Sequence, residues 1–264
     1  MGSFVLPFAM TIWQLIGVCA VSFTAGLIDA IAGGGGLIQL PGVMTFLPHV
    51  PTVTLLAINK TSSMFGTCTS MVEYTRKGKV DLKRMWKIGL ASFVTAALGA
   101  FTAKRVPNEL LKPLIVVLLA FLVVFTIVKK NFGEKATPSR FTVAQQSVLG
   151  LLLGLVMGFY DGFFGPGTGN FLIMGLIFIY GLDFLHASAD SKIVNGLTNL
   201  SAFIMYMFLG EGNLFLGIVM GLFNMAGAWL GVRLAVLRGS KFIRVLFIVM
   251  SSGLLIKQII DLFG

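Results

Sequence analysis

Residues 26–41 read GLIDAIAGGGGLIQLP, and residues 158–172 read GFYDGFFGPGTGNFL. In each, an apolar run reaches an aspartate, continues for one helical turn and stops at a glycine cluster. Asp29 precedes Gly33, Gly34, Gly35 and Gly36; Asp161 precedes Gly165, Gly167, Thr168 and Gly169. A glycine inside a helix costs about 1 kcal/mol relative to alanine. Four in a row therefore predict a broken helix. The two stretches lie 132 residues apart, half of the 264-residue chain.

The same shift of 132 aligns much more. Ala57 and Lys60 match Ala189 and Lys192; Tyr74, Gly78 and Leu82 match Tyr206, Gly210 and Leu214. Gly89, Leu98, Gly99 and Ala103 match Gly221, Leu230, Gly231 and Ala235. Apolar matches arise by chance in a biased composition, but paired aspartates and lysines do not. The chain is read as an internal duplication.

The composition sets the solvent. Hydrophobic residues make up 56% and charged residues 11%, with mean hydropathy +0.94. Soluble domains carry roughly 25% charged residues, so disorder and a soluble enzyme are both excluded. Lys and Arg number 20 against 10 Asp and Glu. In so apolar a chain that excess marks cytoplasmic loops rather than nucleic-acid binding. Cys19 and Cys68 lie in apolar helical runs, and His49 and His186 stand alone, so neither a disulfide framework nor a metal site is expected. No cofactor is expected. MGSFVLPFAM lacks the basic start of a signal peptide, and its helix is expected to be retained.

Crossing about 30 Å of hydrocarbon takes about 20 apolar residues. Candidate spans are Trp13–Ala32, Thr52–Glu73, Trp86–Ala103, Leu110–Val128, Val143–Phe164, Ala187–Leu209, Asn213–Val236 and Phe242–Ile260. Leu37–Leu47 and Phe171–Phe184 are short and follow the glycine clusters. The expected organisation is a single membrane domain, with a first transmembrane repeat over 1–128, a cytoplasmic linker over 129–140 and a second repeat over 141–264.

Loop 76–87 carries six basic residues, and its counterpart 208–219 carries none. Positive loops stay in the cytoplasm, so equivalent loops face opposite sides. The fold class predicted is therefore an all-α polytopic membrane protein with two inverted-topology repeats of about five helical segments each. Lys104 and Arg105 fall on the outer side in this arrangement, against the rule. Four crossings per half would instead make the repeats parallel.

Lys60 and Lys192 sit inside apolar helices, where a lysine costs roughly 2.5–3.5 kcal/mol near mid-bilayer. Ser63 and Thr67 follow Lys60 at three and seven residues, and Asn195 and Asn199 follow Lys192 likewise. Such spacings share one helical face, so each half carries a polar stripe headed by a lysine. Asn59, Thr61, Ser62, Asp190, Ser191 and Thr198 add polar groups nearby. Snorkelling to the interface is the plainer reading of a lone lysine, and Asp190 is a candidate to neutralise Lys192. Broken backbone at Gly34, Gly35 and Gly36, and at Gly167, Thr168 and Gly169, offers amide donors and helix N-termini to an anion. Scattered glycines such as Gly154, Gly217 and Gly231 read instead as packing contacts. Asp29 and Asp161 are read as proton carriers, or as structural caps on freed amides.

The two glycine stretches, with AINKTSS (57–63) and SADSKIVN (188–195), resemble the TauE/SafE family of sulfite and organosulfonate exporter-like permeases. The resemblance covers nearly the whole chain. It implies transport of small sulfur-containing anions across a bacterial or archaeal cytoplasmic (inner) membrane. The site residues favour the same class, since lysine offers a point charge to an oxygen-rich anion without planar geometry. Alternating access follows, with the anion held between the two halves. An interior-negative potential favours anion exit by about 2.3 kcal/mol per charge per 100 mV, so export needs no coupling ion, whereas uptake does. A proton-coupled importer and an anion channel are the alternatives. No nucleophile–base pair supports a membrane enzyme, and no soluble domain supports an anchoring subunit. The partners expected are a small anionic substrate and the lipid bilayer, with a second copy of the chain as a further candidate and no nucleic acid.

Overall fold

The structure is a computed structural model that describes residues 7–107 and 135–263. The expected span Leu110–Val128, and Lys112, Lys129 and Lys130, lie outside the described residues. A short 3-10 turn (Pro7–Ala9) leads into α1 (Ile12–Ala32), α2 (Gly35–Phe46), α3 (Thr52–Arg76) and α4 (Leu82–Arg105). After the gap come α5 (Val143–Phe163), α6 (Thr168–Tyr180), α7 (Phe184–Phe208) and α8 (Leu214–Phe263), which breaks at Gly239 (φ 71°). The sequence expected two spans there, and the glycine that joins them takes a backbone angle other residues resist.

The elements repeat at the spacing the sequence shows. α3 and α7 begin and end 132 residues apart. Thr11 caps α1 through a reciprocal pair with Gln14, and Thr142 caps α5 in the same way with Gln145. Asp81 accepts from the Arg84 amide at the start of α4, and Asn213 accepts from Leu216 at the start of α8. These side chains satisfy amides that a helix start leaves open. Most of the basic residues expected in loop 76–87 lie on helix: the turn spans only 77–81, and Lys83, Arg84 and Lys87 belong to α4.

Close glycine contacts fix how the helices run. A Cβ at Gly154, Gly158 or Gly162 would strike Ile88, Ser92 or Ala96, so α5 runs parallel to α4. With the halves exchanged, Gly26 meets Asn224, Gly227 meets Phe23 and Gly231 meets Leu27, so α8 runs parallel to α1. Gly217 and Gly221 meet Thr61 and Phe65, so α3 also runs with α8. The scattered glycines thus let backbones approach, as small residues do between membrane helices. In the centre the order reverses. Lys60 meets Asn199, while Tyr74 and Ser188 share the Ala30 carbonyl, so α3 and α7 run antiparallel.

α2 doubles back along α1: Gly35 lies on Ala25, Gly42 on Val21 and Gly17 on Phe46. α6 returns along α5 in the same manner, with Gly175 on Leu153 and Gly150 on Tyr180. The two short pieces are therefore the returning arms of helical hairpins. At 12 and 13 residues each measures roughly 18–20 Å at 1.5 Å per residue, too short for the hydrocarbon.

The outside is apolar and the inside is not. Trp13, Ile16, Trp86, Leu90, Val94, Leu98, Val148, Leu152, Val156, Leu222 and Phe223 are exposed. Among the described residues Lys60, Lys192, Asp161, Asp190 and eighteen amide and hydroxyl side chains are buried. Water would reverse that distribution; lipid permits it. α1, α4, α5 and the Leu214–Ile243 part of α8 are long and apolar enough to cross a membrane, and α6 with α7 forms one further candidate bent by 119°. α3 is long enough at 25 residues, but its polar stretch at 59–63 lowers its hydropathy. α3 supplies the polar centre, surrounded by protein.

Candidate functional site

The hairpin tips meet. A Cβ on Gly33 would lie 2.5 Å from the Gly169 carbonyl carbon, and one on Gly36 would lie 3.0 Å from Pro166 Cα. Gly33 (φ 81°), Gly165 (φ 95°) and Gly167 (φ 84°) hold left-handed angles at the two tips. Such angles and such contacts suit glycine alone. Neither short helix has a side-chain cap at its start, where Gly34 and Gly167 stand. The amides at the starts of α2 and α6 are thus uncapped by side chains inside the protein.

Beside the tips lies a cavity with about 20 Å³ open to the centre of a water molecule, room for roughly one water. Its wall includes Asp29, Gly35, Gly36, Asn59, Lys60, Ser63 and Thr67 from the first half. Asp161, Gly167, Gly169, Asn195 and Asn199 come from the second. These twelve were expected at the site. Gly34, Thr168, Ser191 and Lys192 were expected too and do not line the wall. Gly34 faces Asn170, the Thr168 hydroxyl donates to the Gly165 carbonyl, and that of Ser191 donates to Ser188.

Both lysines are ion-paired, and the pairs cross between halves. Lys60 Nζ on α3 lies 2.8 Å from Asp161 Oδ1 on α5. Lys192 Nζ on α7 lies 3.0 Å from Asp29 Oδ2 on α1 and also bonds the Asp29 carbonyl. With Lys60 at 2% exposure and Lys192 at 0%, neither snorkels. Two ammonium groups thus face two carboxylates, because unpaired charge is too costly to bury. Asp29 and Asp161 make structural bonds to the lysines rather than capping freed amides. Nor does Asp190 neutralise Lys192: it accepts from the Asp81 amide and pairs with Arg84.

Amides complete the site. Lys60 also donates to Asn199 Oδ1 at 3.2 Å, and Asn199 donates to Asn195. Two further wall residues were not anticipated. Asn224 on α8 donates to Gln39 Oε1 at 2.8 Å, and Gln39 donates to Ser22, which pairs with Ser62. Each is a lone polar side chain in an apolar run, the signal that would have singled them out. Three acceptor oxygens nearby, on Asn59 (Oδ1), Asp161 (Oδ2) and Asn170 (Oδ1), are buried without a hydrogen-bond partner. No cluster able to hold a metal ion occurs among the described residues.

A buried ionic centre joining two duplicated, mutually swapped helical halves is the architecture of a polytopic membrane transporter. Residues 18–257 match the family described as sulfite exporter TauE/SafE, and the chain belongs to that family. It is 37% identical over 240 residues to a probable membrane transporter protein, ORF9, of Sinorhizobium sp., covering 91% of this chain and 90% of that one. A probable membrane transporter protein of Haemophilus influenzae is 30% identical, with 91% and 92% covered. The probable membrane transporter protein YfcA of Escherichia coli K12 is 29% identical, with 92% and 89% covered. No solved structure matches. The protein is a multi-pass integral membrane transporter, and these three relatives are bacterial.

Proposed function

We propose that the protein is a secondary transporter of a small sulfur-containing oxyanion, such as sulfite or an organosulfonate. The anion binds at the cavity between the hairpin tips. The observation that carries this is Lys60: a buried ammonium on the cavity wall, beside amides and two helix starts without side-chain caps. Helix N-termini and lysine both favour a compact anion. The family's description as a sulfite exporter supports the sulfur class.

The antiparallel course of α3 and α7 supports inverted repeats, and with them alternating access by rocking one half against the other. Sulfite is larger than a water molecule, so its entry calls for the hairpin tips to part. The direction of transport depends on what else is carried. An uncompensated anion runs outward under the membrane potential, whereas a neutralised one does not.

The test is a thermal-shift screen in detergent with sulfite and sulfoacetate. Either anion is expected to raise the unfolding temperature of the wild type and not that of Lys60→Met. A folded wild type that responds to neither, or a Lys60→Met variant that responds equally, removes the site.

A further inference from the structure

An anion arriving at Lys60 does not meet a free cation. Asp161 already holds the ammonium at 2.8 Å, and the cavity has room for about one water. Carboxylate and oxyanion together against Nζ would set two negative charges beside one buried ammonium. If the anion displaces Asp161, a carboxylate 2% exposed loses its counter-ion. Its other oxygen, Oδ2, has no hydrogen-bond partner to compensate. Isolated buried carboxylates neutralise rather than stay charged. Asp161 lies on the cavity wall, so the opening that admits the anion also admits the proton.

We propose that the protein carries anion and proton together: the anion takes Asp161's place on Lys60, and Asp161 takes a proton as it lets go. This rests on the anion-transport reading above. Before binding, Lys60 and Asp161 sum to zero. Afterwards the ammonium pairs with the anion, the carboxylic acid is neutral, and the sum is again zero. Each monoanion carried, a sulfonate or hydrogensulfite, thus brings one proton, and the step leaves no net charge in the membrane. Transport then follows the pH gradient and the anion gradient, not the voltage. Under an acidic exterior it runs inward.

The groups facing these carboxylates are few. Asp161 faces Lys60 from α3 and Tyr206 from α7, with Tyr160 on its own helix. Asp29 faces Lys192 from α7, with Lys60 and Tyr74 from α3. From α2 and α8 the wall receives the uncharged Gln39 and Asn224, and from α6 only Gly169.

The experiment uses the full chain in liposomes enclosing a pH-sensitive dye, with potassium and valinomycin clamping the voltage. The probes are sulfite and 2-hydroxyethanesulfonate. The second is the anion of a strong acid, so a proton that moves with it comes through the protein. For whichever probe is carried, uptake is expected to be indifferent to voltage and, for the sulfonate, to acidify the lumen one proton per anion. Apparent affinity is expected to weaken about tenfold per pH unit at alkaline pH, the slope for one linked proton. Asp161→Asn is expected to flatten that slope and make flux voltage-dependent. Voltage-driven wild-type uptake without proton movement overturns the proposal, as does Asp161→Asn retaining the wild-type slope. The wild-type measurements decide even if that variant does not fold. A protein that binds no anion in the thermal-shift screen fails at that earlier step, and the coupling falls with the site.

Discussion

The two crossed ion pairs occupy equivalent positions and differ in their surroundings. Lys60 borders the cavity and shares its ammonium between Asp161 and Asn199. Lys192 lies behind the wall, wholly buried, and bonds both the side chain and the carbonyl of Asp29. Their partners differ in the opposite sense: Asp161 is 2% exposed and Asp29 is 15% exposed. The tips differ too. The first is four glycines, with one left-handed angle, at Gly33; the second holds two, at Gly165 and Gly167, around Pro166. Tyr160 also bonds the Pro166 carbonyl at 2.7 Å. The halves share one ionic bond: in one pair the lysine borders the cavity, and in the other it lies behind the wall.

The largest effect that tests this contrast is on stability. Lys60→Met leaves Asp161 buried without a partner, which is expected to cost about 3–5 kcal/mol, and adding Asp161→Asn is expected to restore most of it. Lys192→Met is expected to cost less, because water reaches Asp29. Detergent unfolding of the single and double variants measures both, and equal losses at the two lysines would erase the distinction.

The tips give the next comparison. At Gly35 an added Cβ would lie 2.5 Å from the Ala25 carbonyl oxygen, whereas at Gly34 its nearest neighbour is Asn170 Oδ1 at 3.4 Å. Gly35→Ala is expected to abolish uptake of sulfite into liposomes, and Gly34→Ala to preserve most of it. Similar activity in both would mean that the first tip tolerates displacement.

The smallest effect concerns the tyrosines. Tyr74 donates to the Ala30 carbonyl at 2.9 Å, and Tyr206 donates to the Gly162 carbonyl at 3.2 Å, the same bond in each half. Replacing either with phenylalanine removes one buried hydrogen bond, expected to cost about 1 kcal/mol. Tyr74→Phe is expected to cost at least as much as Tyr206→Phe, because its bond is the shorter; the reverse order would place the stronger bond in the second half.

Much of this was legible along the chain. The hydropathy of α1, α4, α5 and α8, the break after Asp29 and after Asp161, and the singular positions of Lys60 and Lys192 are local features. A helix in lipid needs its own run of apolar residues, and a glycine cluster ends it wherever it is placed. Gln39 and Asn224 were passed over because one amide in an apolar run marks no partner until another helix lies against it.

Sequence alone determined the membrane class, the repeat at 132 residues and the singular positions of Lys60 and Lys192. Only the tertiary structure decided that Lys60 belongs to Asp161 and Lys192 to Asp29, each across the boundary between the halves. It also decided that α2 and α6 turn back along α1 and α5. Hydropathy and periodicity record what each segment needs from its solvent. An ion pair joins residues about a hundred or more positions apart, and its partner is chosen by which helices pack together and in which direction they run.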